Sequence, residues 1–317
     1  MNLKTLFEDL QKMNVSSNDY TLKELFPSIY IGFDKTNKLV YIVRSNQNNC
    51  LPFVHGTGKI KVECNVKMNI SSTNNSENAS IHIIKFLSDN RKEQLIFLEL
   101  CAAFFSESKS GFEEEYVLNT FQTIATFFTK KQEYSDDTLQ GIFAELYTIY
   151  SFRNEFNLSL YWQSRDKMKF DFSLSDTDRI EVKSTRKEER RHRFLHEQLQ
   201  AANLNILVFS YLLRLDDNGL SLRDLIYDCR SLMIPYPKQY LRLEKILHDV
   251  DEVRLSELKF DESHLLRNRK FFRAENIPRF LEATPDGVIN AQYECILNGV
   301  KEEKEEVIID EIRKILS

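Results

Sequence analysis

Residues 168–185 read MKFDFSLSDTDRIEVKST, the alternation of a β-hairpin with its chemistry on one side. Successive side chains of an extended chain point to opposite faces, so Phe170, Phe172 and Leu174 share one face and Asp171 and Ser173 the other. Ser175–Asp178 offers four residues for a turn. In the next strand Ile180 and Val182 share the apolar face, and Glu181 and Lys183 the opposite one. A suitable register brings Asp171 beside Glu181 and Lys183. Two carboxylates at close range resist joint ionisation. A divalent cation removes that conflict, and Mg²⁺ takes one or two carboxylates together with phosphate and water. Such a cation lowers the pKa of a bound water and steadies charge on a scissile phosphate. Lys183 can orient that water or stabilise the transition state as a compact point charge.

Glu145 adds a third acid. The helix expected over 136–155 carries Ile142, Leu146, Ile149 and Phe156 in its apolar stripe, and at 100° per residue Glu145 lies within that arc, near its edge. An acid there needs a partner, either the metal or Lys183. Arg186, Lys187, Arg190, Arg191 and Arg193, set against Glu188 and Glu189, follow directly on the Glu181 strand. A duplex backbone lying over the metal would meet them. By itself the Asp…Glu-x-Lys pattern is weak in a chain that is 29% charged,. Asp249 or Asp251 before Glu257-Leu258-Lys259 matches it as well, but without a preceding strand carrying an inward Asp. His192 and His196, four residues apart, could share a helix face, yet no third zinc ligand is near. Trp162, the only tryptophan, reads as core,.

The elements that must position these residues are a helix and three strands. Asp136 or Asp137 would cap the 136–155 helix, with Gln140 placed for a capping box. Strands are expected near 159–163, 168–174 and 179–184. A short helix near 196–203, an apolar strand near 205–215 and a helix near 221–233 follow. Further helices are expected near 237–248 and 302–316, with the acidic run at 301–306 as a solvated face. Upstream, residues 1–14 suit a short amphipathic helix. From 28 to 104, SIYIGF, KLVYIVR, KIKVECNVKM, SIHIIKFL and QLIFLEL alternate with Asn/Ser-rich turns and imply an antiparallel β domain,. A boundary is expected at 106–111 and a helix at 112–131.

Net charge is −5, so any nucleic-acid contact must come from a local basic patch,. The five cysteines are odd in number and form no CxxC pair, which argues against a disulfide framework and a cysteine zinc site,. Acids interrupt the apolar start, and no apolar run is long enough to span a membrane. The expectation is a soluble cytoplasmic protein.

The order helix-Glu, strand-Asp, Glu-x-Lys, basic stretch, apolar strand resembles the restriction-endonuclease-like PD-(D/E)XK superfamily. More narrowly, it looks like a bacterial family of PD-(D/E)XK motif proteins. The segments that carry the resemblance are GIFAELY (141–147), the Trp162 strand, FDF (170–172), IEVKST (180–185) and RHRFLHEQL (191–199). It covers about 135–230 well and the flanks loosely. One departure is Phe170 in place of the motif's Pro. The resemblance implies an α/β (mixed α+β) fold, with a central mixed sheet flanked by helices. The nuclease core would occupy 109–235, after an antiparallel β-rich domain (1–108) and before a mixed α/β extension (236–317). It implies Mg²⁺-dependent phosphodiester cleavage with Glu145, Asp171, Glu181 and Lys183 as the active site. Glu145, Asp171 and Glu181 would be the metal ligands. Gln198 matches a Gln of that motif and, with His192, is an auxiliary candidate. Such genes often sit beside DNA methyltransferases in restriction or phage-defence clusters. The expected protein is the DNA endonuclease of such a system, acting on double-stranded DNA with a methyltransferase or other defence subunit as partner. A homodimer would allow two strands to be cut. The alternatives are a catalytically silent or partner-dependent DNA-binding or scaffold subunit, and a nuclease acting on RNA or in DNA repair.

Overall fold

A computed structural model describes residues 3–12, 19–47, 51–71, 76–105, 111–129, 131–163, 169–200, 203–282 and 284–317. The chain forms two compact units, Met1–Gln132 and Glu133–Ser317. The expected boundary segment falls largely on residues 106–110, outside the described residues.

The first unit begins with α1 (Leu3–Lys12). Strands β1 (Tyr20–Phe26), β2 (Ile29–Asp34), β3 (Leu39–Arg44), β4 (Phe53–Thr57), β5 (Ile60–Ser71) and β6 (Ser76–Phe86) then form one antiparallel sheet in the order β1-β2-β3-β6-β5-β4. The β3 sequence LVYIVR is buried on both faces, as a central strand of β-branched residues should be,. Two helices, α2 (Arg91–Phe104) and α3 (Glu114–Thr129), pack on one face. Phe86 stacks on Phe97 and packs against Phe128. The run QLIFLEL, expected as a strand, lies inside α2. Its Gln, Leu and Glu residues are helix formers, and Asn90 caps the start by accepting from the Glu93 N–H,.

The second unit opens with α4 (Asp136–Ser151), capped by Ser135 rather than by either expected aspartate. The Ser135 hydroxyl accepts from the Thr138 N–H, leaving Asp136 and Asp137 to face the helix dipole from the first turn,. There follow β7 (Phe172–Ser173), β8 (Asp178–Thr185), β9 (Arg191–Leu195), α5 (His196–Leu199), β10 (Asn205–Leu212) and β11 (Leu215–Ser221). Helices α6 (Leu222–Met233), α7 (Pro237–Asp249) and α8 (Glu252–Glu257) come next, then β12 (Lys259–Phe260) and α9 (Glu262–Asn268). The chain closes with β13 (Lys270–Arg273), β14 (Gln292–Ile296) and α10 (Glu305–Leu316).

Four strands form a mixed sheet in the order β13-β10-β8-β7, with β8 and β10 parallel and both edges antiparallel. The crossover between the parallel strands carries β9 and α5, and β9 pairs with β14 in a two-stranded ribbon. The expected C-terminal extension is therefore woven into this unit, since β13 and β14 complete the pairings of β10 and β9. Helix α4 covers one sheet face: Thr148 donates to Tyr211, and Phe152 packs on Phe209 and Phe271. The expected strand at 159–163 is instead a 3-10 turn at Ser159–Tyr161, followed by a single bridge from Trp162 to Phe172. The strand expected over 168–174 is regular only at Phe172–Ser173, and Met168 lies outside the described residues. Among the described residues no helix is long and apolar enough to cross a membrane. Cys64, Cys101, Cys229 and Cys295 are free and buried, while Cys50 lies outside the described residues.

Candidate active site

In the β7–β8 ladder Phe172 pairs with Ile180 and Ser173 with Arg179. One step further along that register sets Asp171 opposite Glu181. The Asp171 carboxylate is anchored there, accepting the Val182 N–H through Oδ2 at 2.7 Å. The parallel register pairs Glu181 with Val208 and Lys183 with Ser210, so these four residues share a sheet face,. That face is not an open charged surface. It packs against β9, with Phe194 under the Lys183 ammonium at 5.0 Å and Val208 and Phe170 in one apolar cluster. Both faces of β8 are thus covered, as parallel strands require.

Glu181 is 4% exposed. Its Oε1 meets Lys183 Nζ at 2.6 Å and accepts from Gln198 Nε2 at 2.7 Å, while its buried Oε2 has no partner. Gln198 is a clamp: its amide nitrogen also donates to the Lys169 carbonyl, and its oxygen accepts from the Leu195 N–H and from Lys183. One side chain thereby ties together α5, β8 and the segment leading to Asp171. Burial pushes the Glu181 and Asp171 carboxyls above their ordinary range, Asp171 strongly so, with Glu181 and Glu145 adding to the shift on Asp171.

Glu145, expected as a third metal ligand, turns one carboxylate oxygen to other partners. Its Oε2 receives Trp162 Nε1–H at 2.6 Å, the Gln163 amide at 3.3 Å and Arg242 Nη2 at 3.4 Å. Among the described residues no group of three or more His, Cys, Asp and Glu side chains is gathered to hold a metal. The pair remains. Two facing carboxylates, one with a buried unpartnered oxygen, suit a single hard cation that keeps phosphate and water in its other positions. Sequence reasoning missed Arg242 and Gln163. Arg242 lies 97 residues beyond Glu145, on α7, and no spacing rule connects the two. Gln163 stands beside Trp162 with a positive φ of 39°, and its N–H donates to the Asp171 carbonyl. Trp162 is core as expected, fully buried, and it also orients Glu145.

The basic stretch divides. Arg186 and Lys187 are exposed at the end of β8. Arg191 and Arg193 are exposed on β9, where both approach Glu294 and Arg191 also pairs with Glu189. Arg190, expected to contact DNA, is 3% exposed. It donates to the Ser210 carbonyl, the Ser210 hydroxyl and the Asn268 carbonyl. His192 is likewise internal. It lies 2.6 Å from the Ser210 hydroxyl, and burial with Arg190 and Lys183 nearby pushes its pKa down to about 3. With 191–195 forming a strand, His192 and His196 do not share a helix face. Strand alternation explains the outcome: 190, 192 and 194 face inward, while 191 and 193 face out.

Arg190→Ala is therefore expected to lower stability by about 3 kcal/mol, because it strands buried acceptors. Arg191→Ala and Arg193→Ala should each cost less than about 1 kcal/mol, as exposed ion pairs do. Urea unfolding of the three variants checks this, and equal losses would contradict it.

The second Asp…Glu-x-Lys match is spent on structure. The Asp249 side chain is buried against Lys245 and His248, Asp251 caps α8, and Lys259 donates to the Asp217 carbonyl.

No curated protein and no solved structure matches the chain. A family model does, over residues 4–298, and the family's description is "Putative PD-(D/E)XK family member". PD-(D/E)XK nucleases generally use divalent metals. With Asp171 just before β7, Glu181 and Lys183 on the adjoining β8, and a match spanning nearly the whole sequence, the chain belongs to this PD-(D/E)XK family, DUF4420.

Proposed function

We propose that this chain is a Mg²⁺-dependent DNA endonuclease that hydrolyses phosphodiester bonds, the cleaving component of a restriction or phage-defence system. The observation that carries the reading is Glu181, buried between Lys183 and Gln198 and opposite Asp171, with one carboxylate oxygen unsatisfied. An unpaired buried carboxylate oxygen costs stability and is retained where something binds it.

Asp171 and Glu181 would hold the cation, which when bound supplies Lewis acidity and a more acidic water. Lys183 contributes a compact positive charge beside the reacting phosphate, in surroundings dry enough to strengthen it. Gln198 donates to Glu181 and accepts from Lys183, which ties the two side chains together. Arg186 and Lys187, exposed where β8 ends, would bind the DNA backbone without reading bases. Arg191 and Arg193 extend that surface once phosphate competes with Glu189 and Glu294. Double-stranded DNA is the proposed substrate, with a methyltransferase or other defence subunit as partner and a second copy of the chain to cut the other strand.

The test is cleavage of unmethylated plasmid and phage DNA with Mg²⁺ or Mn²⁺, comparing wild type with Lys183→Ala. Loss on the order of 10²- to 10³-fold in the variant, with folding intact, is expected. Equal cleavage by both proteins would sink the assignment. DNA binding that persists without metal and is never followed by cleavage would favour the binding subunit instead.

A further inference from the structure

The hydrolytic assignment uses Asp171, Glu181 and Lys183 and leaves Glu145 unexplained. Its Oε2 takes three donors, from Trp162, Gln163 and Arg242. The Arg242 guanidinium also lies 4.1 Å over the Trp162 ring, and its buried Nη1 has no hydrogen-bond partner. Helix α7 is itself pinned to the same turn, since Gln239 donates to the Leu160 and Trp162 carbonyls. A long, costly side chain is thus stacked, threaded between two elements and aimed at one carboxylate.

Three carboxylates, Glu145, Asp171 and Glu181, lie close enough to disturb one another. Two of them balance one divalent cation. The third needs its own cation, or it takes Lys183. We infer that Arg242 is a positioning residue that neutralises Glu145 and so reserves Lys183 for Glu181 and the phosphate. The inference rests on the nuclease reading above. It brings α7, which lies beyond the motif-bearing segments, into the support of the site, and it gives Glu145 a counter-ion of its own. Lys183 does feel Glu145 across the site, so a competing attraction exists for Arg242 to suppress.

The experiment is a double-mutant cycle on the full chain with wild type, Arg242→Met, Glu145→Gln and the double variant, and with Lys183→Ala as the inactive control. Arg242→Met is expected to lower kcat by at least about tenfold, with KM for DNA changed by less than about threefold. The double variant should be no slower than Glu145→Gln alone, because the misplaced charge is gone. A purely structural ion pair would show the rescue in the melting midpoints alone and leave kcat of the folded protein unchanged. The metal-free melting midpoints should follow the same pattern, with the double variant above Arg242→Met. Multiplicative losses, or an effect confined to KM, would overturn the inference and point to direct phosphate binding by Arg242. A wild type as inactive as Lys183→Ala would instead overturn the nuclease reading, and the catalytic role of Arg242 with it. The melting cycle would still report the ion pair.

Discussion

Asp171→Asn is expected to melt above the wild type in the absence of metal while losing cleavage by a factor on the order of 10³. The reason lies in the crowding of acids. Asp171 is desolvated, faces Glu181 and feels Glu145, and all three effects hold its carboxyl well above the ordinary 3.8. An acid whose folded pKa exceeds its unfolded value contributes stability below the unfolded pKa. That contribution is lost as pH climbs from about 4 towards the raised folded value. The wild type should therefore lose stability over that range relative to the variant, and the gap between them should be wider at pH 8 than at pH 5. Asparagine keeps an acceptor for the Val182 N–H and carries no charge to repel Glu181. Thermal melts in EDTA at the two pH values measure the effect. A variant less stable than wild type at both would show that Asp171 is not strained by its neighbours. Adding Mg²⁺ should then raise the wild-type midpoint and leave the variant's unchanged. An equal rise in both would remove Asp171 from the metal site.

Trp162→Ala carries the second large effect, a loss of about 3–5 kcal/mol of stability. The ring is fully buried. It supports Arg242 on one face and donates its N–H to Glu145. Truncation opens a cavity and leaves both charged partners without support. Trp162→Phe keeps most of the apolar volume and removes the donor, so it should cost about 1–3 kcal/mol, the range for a hydrogen bond to a charged group. Because Trp162 is the only tryptophan, circular dichroism in urea must follow the transition. Similar losses in the two variants would mean that the hydrogen bond to Glu145, not the packing, dominates. A loss below about 1 kcal/mol in Trp162→Ala would contradict the burial itself.

What was readable in the chain depended on how local the signal is. Alternation placed Asp171, Glu181 and Lys183 correctly because side-chain direction in a strand follows from residue parity, whatever packs against it. The same parity separates Arg190 and His192 from Arg191 and Arg193. It remained hidden because a run of charges reads as solvated until the segment is known to be a strand. The apolar run QLIFLEL failed for a related reason: a short buried run does not show its period, and the helix formers and the Asn90 cap decided it,.

By itself, then, the sequence determined the candidate hairpin, its acids and lysine, the helix bearing Glu145 and the family resemblance, since all of these are local patterns or an order of local patterns. Only the tertiary structure decided how those residues are used. Glu145 was drawn to Trp162, Gln163 and Arg242, Gln198 became a clamp, and β13 and β14 returned from the C-terminal third to complete the unit. The physical reason is common to all three. In a dry interior every charge and every strand edge must find a partner, and that partner is chosen by proximity in space, which sequence separation does not encode.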